Sequence, residues 1–111
     1  MSSIVGLTSS EHGPAAACYT TSKTGAVGLT RAMAYELAEY NITVNAVAGG
    51  RIATEMSAAN NSYYNDLHMK LIPMKRFGTP QEVADVFAYL ASDRSTYLTG
   101  DTINLTGGWF L

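Results

Sequence analysis

Residues 42–48 read Ile, Thr, Val, Asn, Ala, Val, Ala, a nearly unbroken run of small and β-branched side chains. A strand with one wet face alternates apolar and polar residues, whereas a continuous run suits a parallel strand covered on both faces. Parallel strands cannot be joined by a tight hairpin, so long crossovers must flank this one. Both flanks supply them. From about Ala15 to Tyr40 there is no proline, Ala, Leu, Met, Glu and Arg dominate, and Val27, Thr30, Ala34 and Leu37 share one helical face. Gly25 and Gly28 weaken such a helix, which predicts close approach of another backbone there. On the other side, Thr79-Pro80-Gln81-Glu82 is a capping box with proline at the first helical position, followed by an apolar stripe of Val83, Val86, Phe87 and Leu90.

The remaining segments fit the same alternation. Met1 to Val5 reads as the tail of a strand, Gly6 to Pro14 as a loop, and Gly49-Gly50 as the end of the central strand. Ser57 to Leu71 carries Tyr63, Tyr64, Leu67 and Leu71 at helix-compatible spacing, but Asn60, Asn61 and Ser62 oppose a helix, which predicts a mobile, partly helical segment. Thr99-Gly100 turns the chain into a last strand, Thr102 to Thr106, closed by Gly107-Gly108. The fold class is therefore α/β, the C-terminal half of a doubly wound, Rossmann-like parallel sheet. Roughly three strands cannot cover both faces and both edges of such a sheet, so the sheet is expected to be incomplete without N-terminal strands.

Composition narrows the partners. The 111 residues suit one domain, 1–111, and 47% hydrophobic with 14% charged residues suits a globular chain. A net charge of -2 with scattered Lys and Arg gives no footprint for nucleic acid. Cys18 is the sole cysteine, so no internal disulfide forms, and it reads as a small buried packing residue. No export signal and no apolar run of ~18 residues is present, which predicts a cytoplasmic protein without a membrane span. His12 reads as a loop residue and His68 as a surface or substrate-side residue; neither has acidic partners at ligand spacing, so no metal site is expected.

Tyr19 and Lys23 stand four apart on the long helix and project from one face. A free phenol, with a pKa near ~10, is a poor base at neutral pH. An ammonium within ~4 to 6 Å favours the phenolate, as does the positive end of a helix. A phenol tuned in this way can exchange a proton with an alcohol or ketone oxygen while hydride moves at carbon. Ser3 offers a hydroxyl to hold the same oxygen. Taken alone, the pair also describes an ordinary surface contact.

Around the pair, the sequence resembles the short-chain dehydrogenase/reductase family along nearly its whole length. Ser2-Ser3-Ile4-Val5-Gly6 is similar to the family's strand end with its catalytic serine, and Tyr19-Thr20-Thr21-Ser22-Lys23 to its Tyr-x-x-x-Lys helix. Ile42 to Val47, Arg76 to Ala84, and Thr99 to Gly108 resemble the following strand, the last helix and the last strand. The resemblance implies an oxidoreductase using NAD or NADP on an alcohol or ketone. It implies Tyr19 as acid/base, Lys23 on the nicotinamide ribose, and Ser3 on the substrate carbonyl. Cofactor contacts would come from Tyr19, Lys23, Gly50, Ile52 and Thr54, and the full-length protein would be a homo-oligomer, a dimer or tetramer. Sugars, polyols and 3-oxoacyl thioesters are the substrate classes it suggests.

Three departures stand out. Gly49-Gly50 replaces the family's Pro-Gly, which removes a fixed φ beside the nicotinamide. The segment between Ser3 and Tyr19 is about three residues longer than usual, which leaves Ser2 as an alternative to Ser3. The glycine-rich dinucleotide fingerprint, the Asn-Asn-Ala-Gly strand and the helix asparagine are not in the chain, so the pyrophosphate lacks its helix N-terminus and Met1 reads as an internal methionine. Tyr63, Tyr64 and Met69 suit either a substrate lid or a core, and Trp109, Phe110 and Leu111 an apolar terminus that contacts a neighbouring subunit. Two readings follow: an oxidoreductase segment, or a non-catalytic fragment that acts only by associating with another copy or half.

Overall fold

Three parallel strands, β1 (Ser2–Ser3), β2 (Ala46–Gly49) and β3 (Thr102–Leu105), lie side by side in chain order. The computed structural model describes residues 1–8, 16–58 and 62–109. Between β1 and β2 run α1 (Val5–Thr8), α2 (Ala16–Leu37) and a 3-10 turn, Ala38–Tyr40. Between β2 and β3 run α3 (Glu55–Ala58), α4 (Ser62–Leu71), α5 (Pro80–Leu90) and a 3-10 turn, Asp93–Ser95. Ser2 pairs with Ala48 and Ser3 with Gly49, while Ala46 to Gly49 pair in step with Thr102 to Leu105. The alternation read from the sequence is the architecture found: a small parallel α/β sheet, a partial Rossmann-like fold.

The centre of the sheet explains the run of small residues. Val47 and Ala48 are neighbours, so they point to opposite faces, and each is 0% exposed. Alpha-2 turns Val27, Thr30 and Ala34 inward, with the Thr30 hydroxyl donating to the Ala26 carbonyl. At the start of α5 both halves of the predicted capping box are made, Thr79 accepting from the Glu82 N–H and Glu82 from the Thr79 N–H. Gly100, Gly107 and Gly108 adopt positive φ at the two ends of β3, the conformation that favours glycine.

Several expectations are corrected. The first strand stops at Ser3, and Leu7 and Thr8 donate back to the Ile4 carbonyl, so Val5 to Thr8 coil into α1 where a strand end and a loop were read. The central strand begins at Ala46 rather than Ile42. Upstream of it, Ile42 N–H donates to the Leu37 carbonyl, Val44 N–H to the Thr99 hydroxyl, and the Asn45 amide to the Leu98 carbonyl, so these residues are bonded outside any ladder. Gly49 is the last residue of β2, so the strand ends at Gly49-Gly50 as expected, while β3 stops at Leu105, one residue short of Thr106. Residues 57–71 hold the end of α3 and all of α4, more helix than expected. Among the described residues nothing lies within 4 Å of a Cβ built on Gly25 or Gly28, and α2 is approached closely at Gly6 instead. Cys18 is exposed, and Trp109 is buried with Ile4, Val5 and Ile72 instead of offering itself to a neighbour. His12, the helix start at Ala15, Asn60, Asn61, Phe110 and Leu111 lie outside the described residues.

Candidate active site

Parallel strands finish on one edge, so Ser3, Gly49 and Leu105 end β1, β2 and β3 side by side. Ligands of open parallel sheets bind outside those carboxyl ends. Ser3, Gly50, Ile52 and Thr54 end or follow strands there, and Tyr19 and Lys23 lie on α2, which meets Ser2 and Gly6 through its backbone at Lys23.

Alpha-2 is seated on β1 through the backbone at Lys23. The Ser2 hydroxyl donates to the Lys23 carbonyl at 2.7 Å, and the Thr24 hydroxyl donates to the Gly6 carbonyl at 3.1 Å. A Cβ on Gly6 would stand 2.7 Å from both the Lys23 carbonyl carbon and oxygen, so only glycine lets the two segments come this close. The Lys23 ammonium then donates to the Met1 carbonyl at 3.4 Å and lies 5.5 Å from the centroid of the Tyr19 ring, within cation–π range. Tyr19 is 46% exposed, its ring open to a ligand. Ser3 is buried, and its Oγ accepts from the Val5 N–H at 3.3 Å. Among the described residues no hydrogen bond joins Ser3 to Tyr19.

On the β2 side, Gly50 N–H donates to the Leu105 carbonyl, and a Cβ there would meet Thr106 at 3.1 Å. Ile52 forms a parallel bridge with Gly78, in which Gly78 N–H donates to Arg51 and Ala53 N–H to Gly78. Since alternate backbone groups of an extended chain point oppositely, the N–H of Ile52 faces away from Gly78. Thr54 and Ser57 bond reciprocally: Ser57 N–H donates to the Thr54 hydroxyl at 3.3 Å, and Thr54 N–H donates to Ser57 Oγ at 2.8 Å. Three further residues escaped the sequence reading: Arg51, Asn65 and Phe77. Arg51 donates to Asn65 Oδ1 at 2.9 Å and stacks on Phe77, 5.9 Å from the ring centroid. A lone arginine directly after a run of small apolar residues was the available signal.

Tyr63 and Tyr64 are exposed and Met69 half-buried, while His68 is half-buried and meets the edge of Trp109 at 5.1 Å. A separate cleft of about 110 Å³ at the end of β3 is lined by Met74, Arg76, Gly78, Glu82 and Leu105 to Gly107, away from Tyr19 and Lys23. Arg76 and Glu82 form a bidentate pair on its wall, at 2.6 and 2.9 Å. The guanidinium bond, together with the Thr79 N–H, holds the Glu82 carboxyl down at about 2. Among the described residues there is no acidic, histidine or cysteine cluster able to hold a metal.

A family model described as enoyl-(acyl carrier protein) reductase matches residues 1–110. The chain belongs to the short-chain dehydrogenase/reductase family. Among members of this family, a 3-oxoacyl-(acyl-carrier-protein) reductase of Rickettsia felis is 40% identical over 111 residues, 100% of this chain and 45% of the relative. One from Staphylococcus epidermidis is 44% identical over 98 residues, 88% of this chain and 40% of the relative. The crystal structure of a 3-oxoacyl-(acyl-carrier protein) reductase from Brucella melitensis superposes with a TM-score of 0.91 at 42% identity, over 99% of this chain and 40% of that one. A second Brucella melitensis reductase, solved with bound NAD, gives 0.87 at 40% identity, over 99% of this chain and 39% of that one. The chain thus spans less than half the length of these short-chain dehydrogenase/reductase relatives.

Proposed function

We propose that residues 1–111 are the catalytic half of an NAD- or NADP-dependent oxidoreductase that interconverts a secondary alcohol and a ketone, with a 3-oxoacyl thioester as the ketone. The dinucleotide-binding half is contributed from outside these residues, and the whole enzyme works as a cytoplasmic homo-oligomer. One observation carries the reading: the Lys23 ammonium, bonded to the Met1 carbonyl, lies 5.5 Å from the centroid of the Tyr19 ring. The names of the relatives support the substrate class, and the Brucella melitensis reductase with bound NAD supports the cofactor class.

The residues present fit the nicotinamide end of a dinucleotide. The half-buried Lys23 ammonium has three donors and spends one on Met1, leaving others for a ribose diol. The Ile52 N–H faces away from its bridge, and the Thr54 hydroxyl accepts from Ser57, which leaves its own proton to donate; both suit a carboxamide. Gly50 lets the chain turn close against Thr106 beside them. When bound, the dinucleotide supplies or takes up hydride. Tyr19 gives its phenolic proton to the carbonyl oxygen as the carbon becomes an alcohol, and takes that proton back in the reverse direction. Ser2 already donates to the Lys23 carbonyl, whereas Ser3 only accepts, so Ser3 is the serine with a proton left for the substrate oxygen.

In the full-length enzyme, Tyr19→Phe lowers turnover at least ~100-fold while cofactor binding stays near normal, and Lys23→Ala damages both. Steady-state rates with calorimetric cofactor titration check this. Turnover of the phenylalanine variant within a few-fold of the parent removes Tyr19 from the mechanism, and unchanged cofactor affinity on Lys23→Ala removes the ribose role. The second reading, a non-catalytic fragment acting by association, is favoured by the chain's coverage of less than half of each relative.

A further inference from the structure

We infer that Arg51 and Asn65 are positioning residues, a polar tether that holds α4 and the Thr54 turn in one arrangement when substrate binds. Asn65 uses both ends of its amide: Oδ1 accepts from Arg51 Nη2 at 2.9 Å, and Nδ2 donates to the Ser57 carbonyl at 3.1 Å. A guanidinium can only donate and a carbonyl can only accept, so just one amide orientation satisfies both neighbours. Ser57 is buried and bonded to Thr54 three times, through Thr54 N–H, the Thr54 hydroxyl and the Thr54 carbonyl. A continuous path therefore runs from the residue after Gly50, through α4, to Thr54.

Two further observations make the path more than surface decoration. Arg51 is half-buried with no ion pair among the described residues, and its Nε is buried without a hydrogen-bond partner, so losing the Asn65 bond would leave a second guanidinium nitrogen uncompensated. Just past the far end of α4, Ile72 is 1% exposed and packs with Ile4 and Val5, the residues after Ser3. Alpha-4 thus spans from the β2 loop to the end of β1, and its exposed Tyr63, Tyr64, Leu67 and Leu71 are available to an apolar substrate. Cutting the tether lowers the fraction of molecules with α4 in place. The observed dissociation constant rises as the inverse of that fraction, while molecules that do bind substrate react normally. KM therefore moves and kcat holds. A purely structural loss does the opposite, lowering the active concentration at constant KM.

The inference rests on the proposed oxidoreductase reading, and the test separates the two. In the full-length enzyme, Asn65→Ala and Arg51→Met, which keeps an apolar stem over Phe77, each raise KM for a 3-oxoacyl thioester about tenfold, with kcat within about threefold. The double variant rises no further than either single one, because both cut the same path. Unchanged KM, a fall in kcat alone, or additive effects overturn the inference. Amide hydrogen exchange of residues 54 and 62–71 supplies a readout independent of turnover. Faster exchange in both variants supports the tether, and parent-like exchange overturns it, even if the parent transfers no hydride and the oxidoreductase reading fails.

Discussion

At the scale of single residues, the position of Lys23 depends on an atom that is missing. Gly6 has no Cβ, and a methyl there would stand 2.7 Å from the Lys23 carbonyl and 2.9 Å from the Ser2 hydroxyl. Two of those three atoms are Lys23 backbone, so side-chain rotation offers no relief and α2 must lift from α1 and the adjoining end of β1. That movement breaks the Ser2 bond to the Lys23 carbonyl and displaces the ammonium from Met1 and Tyr19. Gly6→Ala is therefore expected to cost about 1–3 kcal/mol of stability as an overpacked site and to reduce cofactor affinity along with it. Thermal unfolding and cofactor titration of the variant check this. Parent-like values in both would show that α1 and α2 do not meet at Gly6.

At the scale of elements, what was legible in the sequence is what local rules decide. The capping box at Thr79 was readable because donor and acceptor are three residues apart, and the Tyr19–Lys23 pair because four residues return a helix to the same face. The start of β2 was not readable. Val44 and Asn45 are claimed by Thr99, Leu98 and Asp101, more than fifty residues away, and no periodicity records such bonds. The Arg51–Asn65 contact and the burial of Trp109 against Ile4, Val5 and Ile72 were hidden for the same reason. The cap of α5 also carries a pH dependence. Glu82 lies below its ordinary 4.5, at about 2, chiefly through the Arg76 bond and then the Thr79 N–H. A depressed carboxylate stabilises the fold fully above its unfolded value and loses that contribution as pH falls through its folded value. Acid titration is therefore expected to weaken the start of α5 between about 4.5 and about 2. Glu82→Gln lowers stability at neutral pH, and its deficit against the parent shrinks through that window; the pair is solvent-exposed, so added salt shrinks it too. Urea melts at pH 7, 4 and 2 give the comparison, and a deficit independent of pH would remove the ion pair from the cap.

At the scale of the whole molecule, the described residues bury little and expose much. Nine hydrophobic residues form the buried set, while seventeen large ones are exposed, Tyr35 and Tyr97 at 90% and 100%. The radius of gyration is 15.1 Å, against about 13 Å for a compact domain of this length. Beta-1 has a strand neighbour on one side only, as does β3, so both sheet edges are open among the described residues and invite pairing with other chains. Cofactor binding is under the same constraint. In the proposed site Lys23, Ile52 and Thr54 serve only the nicotinamide end, and their few bonds would have to offset an association cost of at least ~4 kcal/mol before any affinity remained. The 111-residue chain expressed alone is therefore expected to associate, and to bind neither NAD nor NADP usefully, whereas joining it to a dinucleotide-binding half restores both a monodisperse assembly and cofactor binding. Sedimentation gives the mass, and calorimetry with each dinucleotide gives the affinity. A compact monomer that bound either cofactor at micromolar concentration would show the three-stranded sheet to be self-sufficient, and the proposal that it needs another half would have to be abandoned.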